Sequence, residues 1–208
     1  MANFSSLKSI LFDLGGVILD LNVNATLEGF YEMGFPRELL NYPENFNTDL
    51  FHKYETGKLS TDEFRNRIRE MSGVFFEDQE FDQIWCAMLA DVPASRVHLL
   101  RKLATRYNLY LLSNTSDLHI RVFERMFMEA SGTAIRDVFK KTYYSFETGH
   151  HKPDPEAFRF VLSDAGITAA ETLFLDDNIH NIKAAQELGF NALHISKYLK
   201  LEEIGFDL

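Results

Sequence analysis

Five short apolar runs, separated by stretches far too long for hairpin turns, constrain this chain more than anything else in it. They are LKSILFD (7–13), NLYLLSN (108–114), KTYYS (141–145), TLFLD (172–176) and NALHI (191–195). Each is the length of a strand, and little alternation of polar and apolar residues breaks them, as expected of strands covered on both faces. Helical patterns separate most of them. PASRVHLLRKLATR places Val97, Leu100, Leu103 and Ala104 on one face, with Pro93 near its first turn. NIHNIKAAQELG closes on Gly189, a residue suited to the position just past a helix. Strand and helix in alternation imply right-handed crossovers and an α/β fold, a Rossmann-like parallel sheet with helices on both faces.

Residues 20–92 break the alternation. They contain no readable strand and at least three helical segments, the clearest being LSTDEF, with Ser60 as N-cap, Glu63 at N3, and Leu59 and Phe64 as a hydrophobic staple. So long a segment is no loop in a compact domain. The expected organisation is a core of residues 1–19 and 93–208 with a helical cap, residues 20–92, inserted directly after the first strand. Phe46, Phe51, Tyr54, Phe64, Phe75, Phe76, Phe81 and Trp85 are expected mostly to fill the cap's interior, with one or two facing the site. Apolar residues make up 46% of the 208, enough for a real core. The net charge of −10, with no cluster of lysine and arginine, argues against nucleic acid or an anionic membrane as partner. No run approaches the roughly 20 apolar residues of a membrane helix, and no signal-peptide pattern opens the chain. The single cysteine, Cys86, permits no internal disulfide, fits a reducing compartment, and beside Trp85 reads as a small core residue. A cytoplasmic protein is expected; its oligomeric state leaves no mark in the sequence.

Three of the five strands end in polar residues: Asp13, Ser113–Asn114 and Asp176–Asp177. In an open parallel sheet the C-terminal strand ends share one edge, and ligands bind there. Capping of turns or helices explains any one of these residues alone, but three at strand ends point to a site. A lysine, Lys152, precedes Pro153 in HHKPDPEAF, where the proline would open the helix carrying Phe158 and Val161. The set is a carboxylate able to attack phosphorus, a hydroxyl, a lysine and an acid pair. Such acids suit Mg²⁺, which takes one or two carboxylates plus phosphate oxygens. Lysine, hydroxyl and Mg²⁺ together would neutralise a phosphoryl group.

In these motifs the chain resembles the haloacid dehalogenase (HAD) superfamily, over essentially its whole length. The first motif, an apolar strand followed by D-x-D-G-[TV], stands as Asp13-Leu14-Gly15-Gly16-Val17. The second is Ser113 in LLSNT and the third Lys152 in HKPDP. The fourth is Asp176, Asp177 and Asn181 in FLDDNIHN. YETGKLSTDEF and SNTSDLH are similar to the branch that includes sugar-phosphate phosphatases and the N-terminal domain of soluble epoxide hydrolase. The resemblance implies a Mg²⁺-dependent phosphatase of small phosphorylated metabolites. Asp13 would be nucleophile and metal ligand, Asp177 a direct ligand, and the Gly15 carbonyl a further one. Asp176 and Asn181 would stand behind the metal. Ser113, Asn114 and Lys152 would bind phosphate.

The departure from the pattern is Gly15, where most of these phosphatases have the Asp that protonates the leaving group. General acid–base help is worth about 10²–10⁴-fold. Asp20, Glu55, His119, Glu147, His150 and His151 are the candidates to replace it. A substrate with a good leaving group is the second explanation, and a catalytically weak, phosphate-binding regulatory protein the third. A 2-haloacid dehalogenase, which needs no Mg²⁺, is a further alternative that the intact acid pair speaks against.

Overall fold

The computed structural model describes residues 6–41, 48–196 and 199–206. Five strands form one parallel sheet: β1 (Ser9–Phe12), β4 (Asn108–Ser113), β5 (Lys141–Tyr144), β6 (Thr172–Asp176) and β7 (Asn191–His194), in the order β5-β4-β1-β6-β7. All five predicted strands are present. The chain builds outward from β1 to β4 and β5, then crosses back to β6 and β7, so the order reverses beside β1.

The apolar runs follow from cover on both faces. Ile10 and Phe12 point into one core layer with Leu109, Leu111, Leu173 and Leu175. Leu11 points into the other, with Tyr110, Leu112 and Phe174. Helix α5 (Ala94–Ala104) buries Val97, Leu100 and Leu103, while Ala104, assigned to that face, is exposed. Helices α6 (Asp117–Ser131) and α7 (Ile135–Val138) share this layer. Helices α9 (Pro155–Ala165) and α10 (Ile179–Glu187) cover the opposite face, Phe158 meeting Phe174 edge-on at 5.2 Å. Helix α9 opens at Pro155, not at Pro153. Asp154 decides this, its side chain accepting from Glu156 N at 3.0 Å as N-cap, so Lys152 lies in the turn before the helix.

Between β1 and α5 lie α1 (Val23–Glu32), α2 (Asp49–Glu55), α3 (Thr61–Ser72) and α4 (Asp78–Cys86). The capping box on α3 is formed as read, Ser60 and Glu63 bonding reciprocally. Phe51, Tyr54, Phe64, Phe76, Phe81 and Trp85 make one aromatic cluster, which Leu118 of α6 joins. Phe75 does not: it is 82% exposed, and Phe46 lies outside the described residues. This stretch also contains strands, contrary to expectation. Asp20–Leu21 (β2) pairs antiparallel with Leu89–Asp91 (β3), at the two ends of the segment. A two-residue strand has no period to read, and its pairing sets Asp20 opposite Asp91, a like-charge pair that strand preferences argue against.

Where α2 ends, the segment meets the core backbone to backbone. Gly57 has φ +70°, and a Cβ there would lie 2.3 Å from the Phe146 carbonyl oxygen of α8 (Ser145–Thr148). Only glycine permits that approach.

Candidate active site

Strand β1 is wholly buried, so Asp13, the first residue past it, is the first that can carry charge into a cleft. Its N–H donates to the Leu175 carbonyl at 2.8 Å, fixing it beside the end of β6. β4 ends in Ser113 and β6 in Asp176, with Asp177 next. The structure brings together all the residues that the sequence placed at this edge.

Lys152, only 2% exposed, is the cation among them. Its Nζ donates to Asp13 Oδ1 and Asp176 Oδ2, both at 2.7 Å. The loop that carries it is held by Asn114, whose Oδ1 accepts from Lys152 N while its Nδ2 donates to Lys152 O, both at 2.8 Å. Asn114, expected with Ser113 to contact phosphate, also lines the cleft, and its side chain braces the lysine loop. Asp176, fully buried, also accepts from Asn178 N at 2.7 Å and from Asn181 Nδ2 at 3.0 Å.

Asp13, Asp176 and Asp177 offer carboxylate oxygens within 4.8 Å of one another. Burial pushes the Asp13 carboxyl up to about 7. Lys152 pulls the other way, and Asp176 and Asp177 push it further up. Burial and Asp176 likewise raise Asp177. Burial opposes the Lys152 charge, but the two carboxylates outweigh it and hold its ammonium above the ordinary lysine range. Three carboxylates against one ammonium leave surplus negative charge, which either a proton on Asp13 or a divalent cation relieves. Two details fit a cation. Asn181 Oδ1 is buried and accepts no hydrogen bond from the described residues, and Asn181 sits on the cleft wall. Gly16, at φ +71°, has no Cβ where one would lie 2.2 Å from Asp177 Oδ2, so the loop after β1 closes directly on that carboxylate.

This charge balance predicts an unusual pH profile. In the metal-free folded protein Asp13 keeps its proton up to about pH 7, whereas an aspartate in an unfolded chain loses it near pH 4. The folded state therefore binds more protons in that window, and its stability should fall as pH rises from about 4 to about 7. Thermal unfolding without divalent cation measures this. Mg²⁺ at pH 7 should restore stability, and Asp13→Asn should flatten the slope. A metal-free protein whose unfolding temperature climbs steadily across this window would contradict the charge account.

The site opens into a cleft of about 610 Å³ lined by Asp13, Gly15, Leu21, Ser113, Lys152 and Asp177. A second, of about 690 Å³, adjoins it and is lined also by Glu55, Trp85, His119 and His151. Of the six candidates for the missing acid, Glu55, His119 and His151 face this space. Asp20 instead pairs with Arg96 at 2.8 Å, Glu147 with Arg136 at 3.7 Å, and the His150 ring lies 5.1 Å from Phe160. His119 stacks on Trp85 with ring centroids 5.1 Å apart, and its Nε2 meets the Trp85 carbonyl at 3.1 Å. Burial holds its pKa below the usual histidine value. At Gly15, a Cβ would meet Leu21 Cδ1 at 2.8 Å, so a leucine methyl occupies the room beside Gly15.

Leu21, His180 and His194 line the clefts without having been read from the sequence. For His194 a signal existed. It is the last residue of β7, in register with Asp176, and the strand-end rule that found Asp13 applies to it equally. Its Nε2 lies 2.8 Å from the Asp177 carbonyl.

Comparison with known proteins extends this geometry. A D-ribitol-5-phosphate phosphatase of Bacteroides thetaiotaomicron is 33% identical over 184 residues, 88% of this chain and 89% of that protein. A sesquiterpene phosphatase of Aspergillus oryzae is 26% identical, covering 94% of this chain and 93% of its own. A crystal structure of a HAD family enzyme from Bacteroides thetaiotaomicron, in complex with magnesium and inorganic phosphate, superposes with a TM-score of 0.84. It is 40% identical and covers 91% of this chain and 94% of its own. The model of the haloacid dehalogenase-like hydrolases matches residues 7–189, and the chain belongs to that family.

Proposed function

We propose that the protein is a Mg²⁺-dependent phosphatase of small phosphorylated metabolites, with a sugar- or polyol-phosphate as substrate. The observation that carries this is Asp13, held between Lys152 and the Asp176–Asp177 pair at the end of β1. The relative that acts on D-ribitol 5-phosphate, and the magnesium and phosphate in the solved structure, support the choice of metal and substrate class.

In this reading an Asp13 carboxylate oxygen attacks phosphorus and the phosphorus–oxygen bond to the alcohol breaks. The leaving alkoxide takes a proton from water, and the hydroxide so formed attacks the aspartyl-phosphate, releasing phosphate and restoring Asp13. Lys152 holds Asp13 Oδ1 in place and neutralises phosphoryl charge, and Ser113 contacts the phosphoryl oxygens. Asp13, the Gly15 carbonyl and Asp177 would hold the metal, with Asp176 and Asn181 behind them. Magnesium supplies, when bound, a Lewis acid that offsets charge on the phosphoryl oxygens. Residues 20–92 act as the cap over a core of 1–19 and 93–208, and cap closure excludes water from the reacting groups. A panel of phosphorylated metabolites, assayed with Mg²⁺ and with EDTA, tests the reading. Mg²⁺-dependent release of phosphate supports it. Release of halide from 2-haloacids in EDTA, or no turnover of any ester, overturns it.

A second reading, a phosphate-binding protein with little turnover, draws on the absence of an acid at Gly15, where a Leu21 methyl fills the adjoining space. Gly15→Asp separates the two, provided there is room for the new side chain. In a Leu21→Ala background it has that room. If leaving-group protonation limits the rate, the double variant should hydrolyse alkyl phosphates faster, by up to about 10²–10⁴-fold, and aryl phosphates little faster. Unchanged alkyl-phosphate rates in a folded double variant would show that another group already supplies the proton.

A further inference from the structure

We propose that Glu55 recognises the hydroxyl groups of the substrate's leaving group, held in position for that task by His151. The inference rests on the phosphatase reading and adds the residue that would select a polyol. Among the described residues lining the two clefts, Glu55 is the only carboxylate outside the Asp13–Asp177 cluster. It stands at the last residue of α2, where the carbonyl end of the helix opposes negative charge, so helix stability gives no reason for an acid there.

The hydrogen bonds around it fix its orientation. Asn114 Nδ2 donates to the Lys152 carbonyl at 2.8 Å and faces His151 Nδ1 at 3.1 Å. An amide N–H₂ can only donate, so His151 Nδ1 accepts and Nε2 carries the proton. Nε2 then donates to Glu55 Oε2 at 2.9 Å. Glu55 Oε1 has no hydrogen-bond partner among the described residues and remains to accept from a ligand. The chain Glu55–His151–Asn114–Lys152 ties this acceptor to the lysine beside Asp13. Two further contacts keep the end of α2 on the core: the Gly57 backbone against the Phe146 carbonyl, and the His52 ring 4.9 Å from His151. The acceptor thus sits at a set place in the cleft that Ser113 and Lys152 also line. Leu21, Met88 and Leu89 form an apolar wall for the carbon chain. A phosphate ester of an extended, hydroxylated carbon chain matches this pattern: charge at Lys152, carbon against leucine and methionine, hydroxyl at Glu55.

Binding to the turnover-dead Asp13→Asn protein in Mg²⁺, followed by calorimetry, tests this with three probes: D-ribitol 5-phosphate, n-pentyl phosphate and inorganic phosphate. With Glu55→Ala added, the polyol phosphate should bind about 10- to 100-fold more weakly, the worth of hydrogen bonds to a charged acceptor. Pentyl phosphate, which has no hydroxyls, should change less than threefold, as should inorganic phosphate. Glu55→Gln, which keeps one carbonyl acceptor and the side chain's shape, should fall between. Equal weakening of all three probes would make Glu55 only a tie between α2 and the core, and overturn the proposal. So would a polyol phosphate that binds the parent no better than pentyl phosphate. Failure of the phosphatase reading shows separately, as absence of Mg²⁺-dependent turnover by the wild-type protein.

Discussion

Asp13→Asn should lower turnover by about 10⁴-fold or more, on the scale seen when a nucleophile is removed from an enzyme. The amide has nearly the volume of the carboxylate and can still accept from Lys152 Nζ, so the fold should survive. Stability without metal should rise rather than fall near neutral pH. The substitution removes one of three clustered carboxylates from a buried position that already drives Asp13 toward protonation. The two effects together, lost activity and gained metal-free stability, separate a nucleophile from a structural aspartate. Phosphate release at more than a tenth of the wild-type rate would sink the assignment. Mass spectrometry of the quenched wild-type enzyme should find the added phosphoryl group on Asp13 and nowhere else.

Lys152→Met should be the most damaging single change to the fold at this site. The ammonium is buried and bridges Asp13 and Asp176, each at 2.7 Å. Methionine fills much of the volume but leaves two carboxylates facing each other without a cation. Breaking a buried ion pair by removing one partner costs about 3–5 kcal/mol. The variant should therefore unfold at markedly lower temperature at pH 7 and have no measurable activity at any pH. Lys152→Arg should fold better yet remain inactive, because a planar guanidinium cannot take the place of a compact ammonium between two carboxylates. A Lys152→Met protein as stable as wild type would show that the charges are not balanced in the way the distances suggest.

How far this site was legible depended on the range of the interactions involved. The five strands were readable because burial on both faces writes itself as consecutive apolar residues, and the edge rule then gathered Asp13, Ser113, Asp176 and Asp177. Lys152 could be placed near them by the lysine–proline motif, though not in its turn. Two prolines within three residues each fit a helix start, and only the Asp154 cap decides between them. The bracing role of Asn114 depends on pairing with a residue far along the chain, and Leu21 fills the space beside Gly15 only through the irregular turn between β1 and β2. No periodicity carries such contacts. The β2–β3 ribbon escaped for the same reason. Glu55 was one of six acids with nothing to choose among them until the fold set it against His151.

The ribbon is tied to a turn more than a hundred residues further along the chain. Asp20, in β2, is held by the nearly buried guanidinium of Arg96, and that same group lies 3.3 Å from Glu202 in the turn Leu201–Glu203. Ser95 Oγ also donates to Glu202 at 2.9 Å. One cation is thus divided between a carboxylate of the ribbon and a carboxylate of the turn. Removing the Glu202 charge would leave Arg96 to pair with Asp20 alone, and a second acid nearby would compete with Asp20 for it. Position 202 is thus linked electrostatically, through one guanidinium, to the strand that opens residues 20–92.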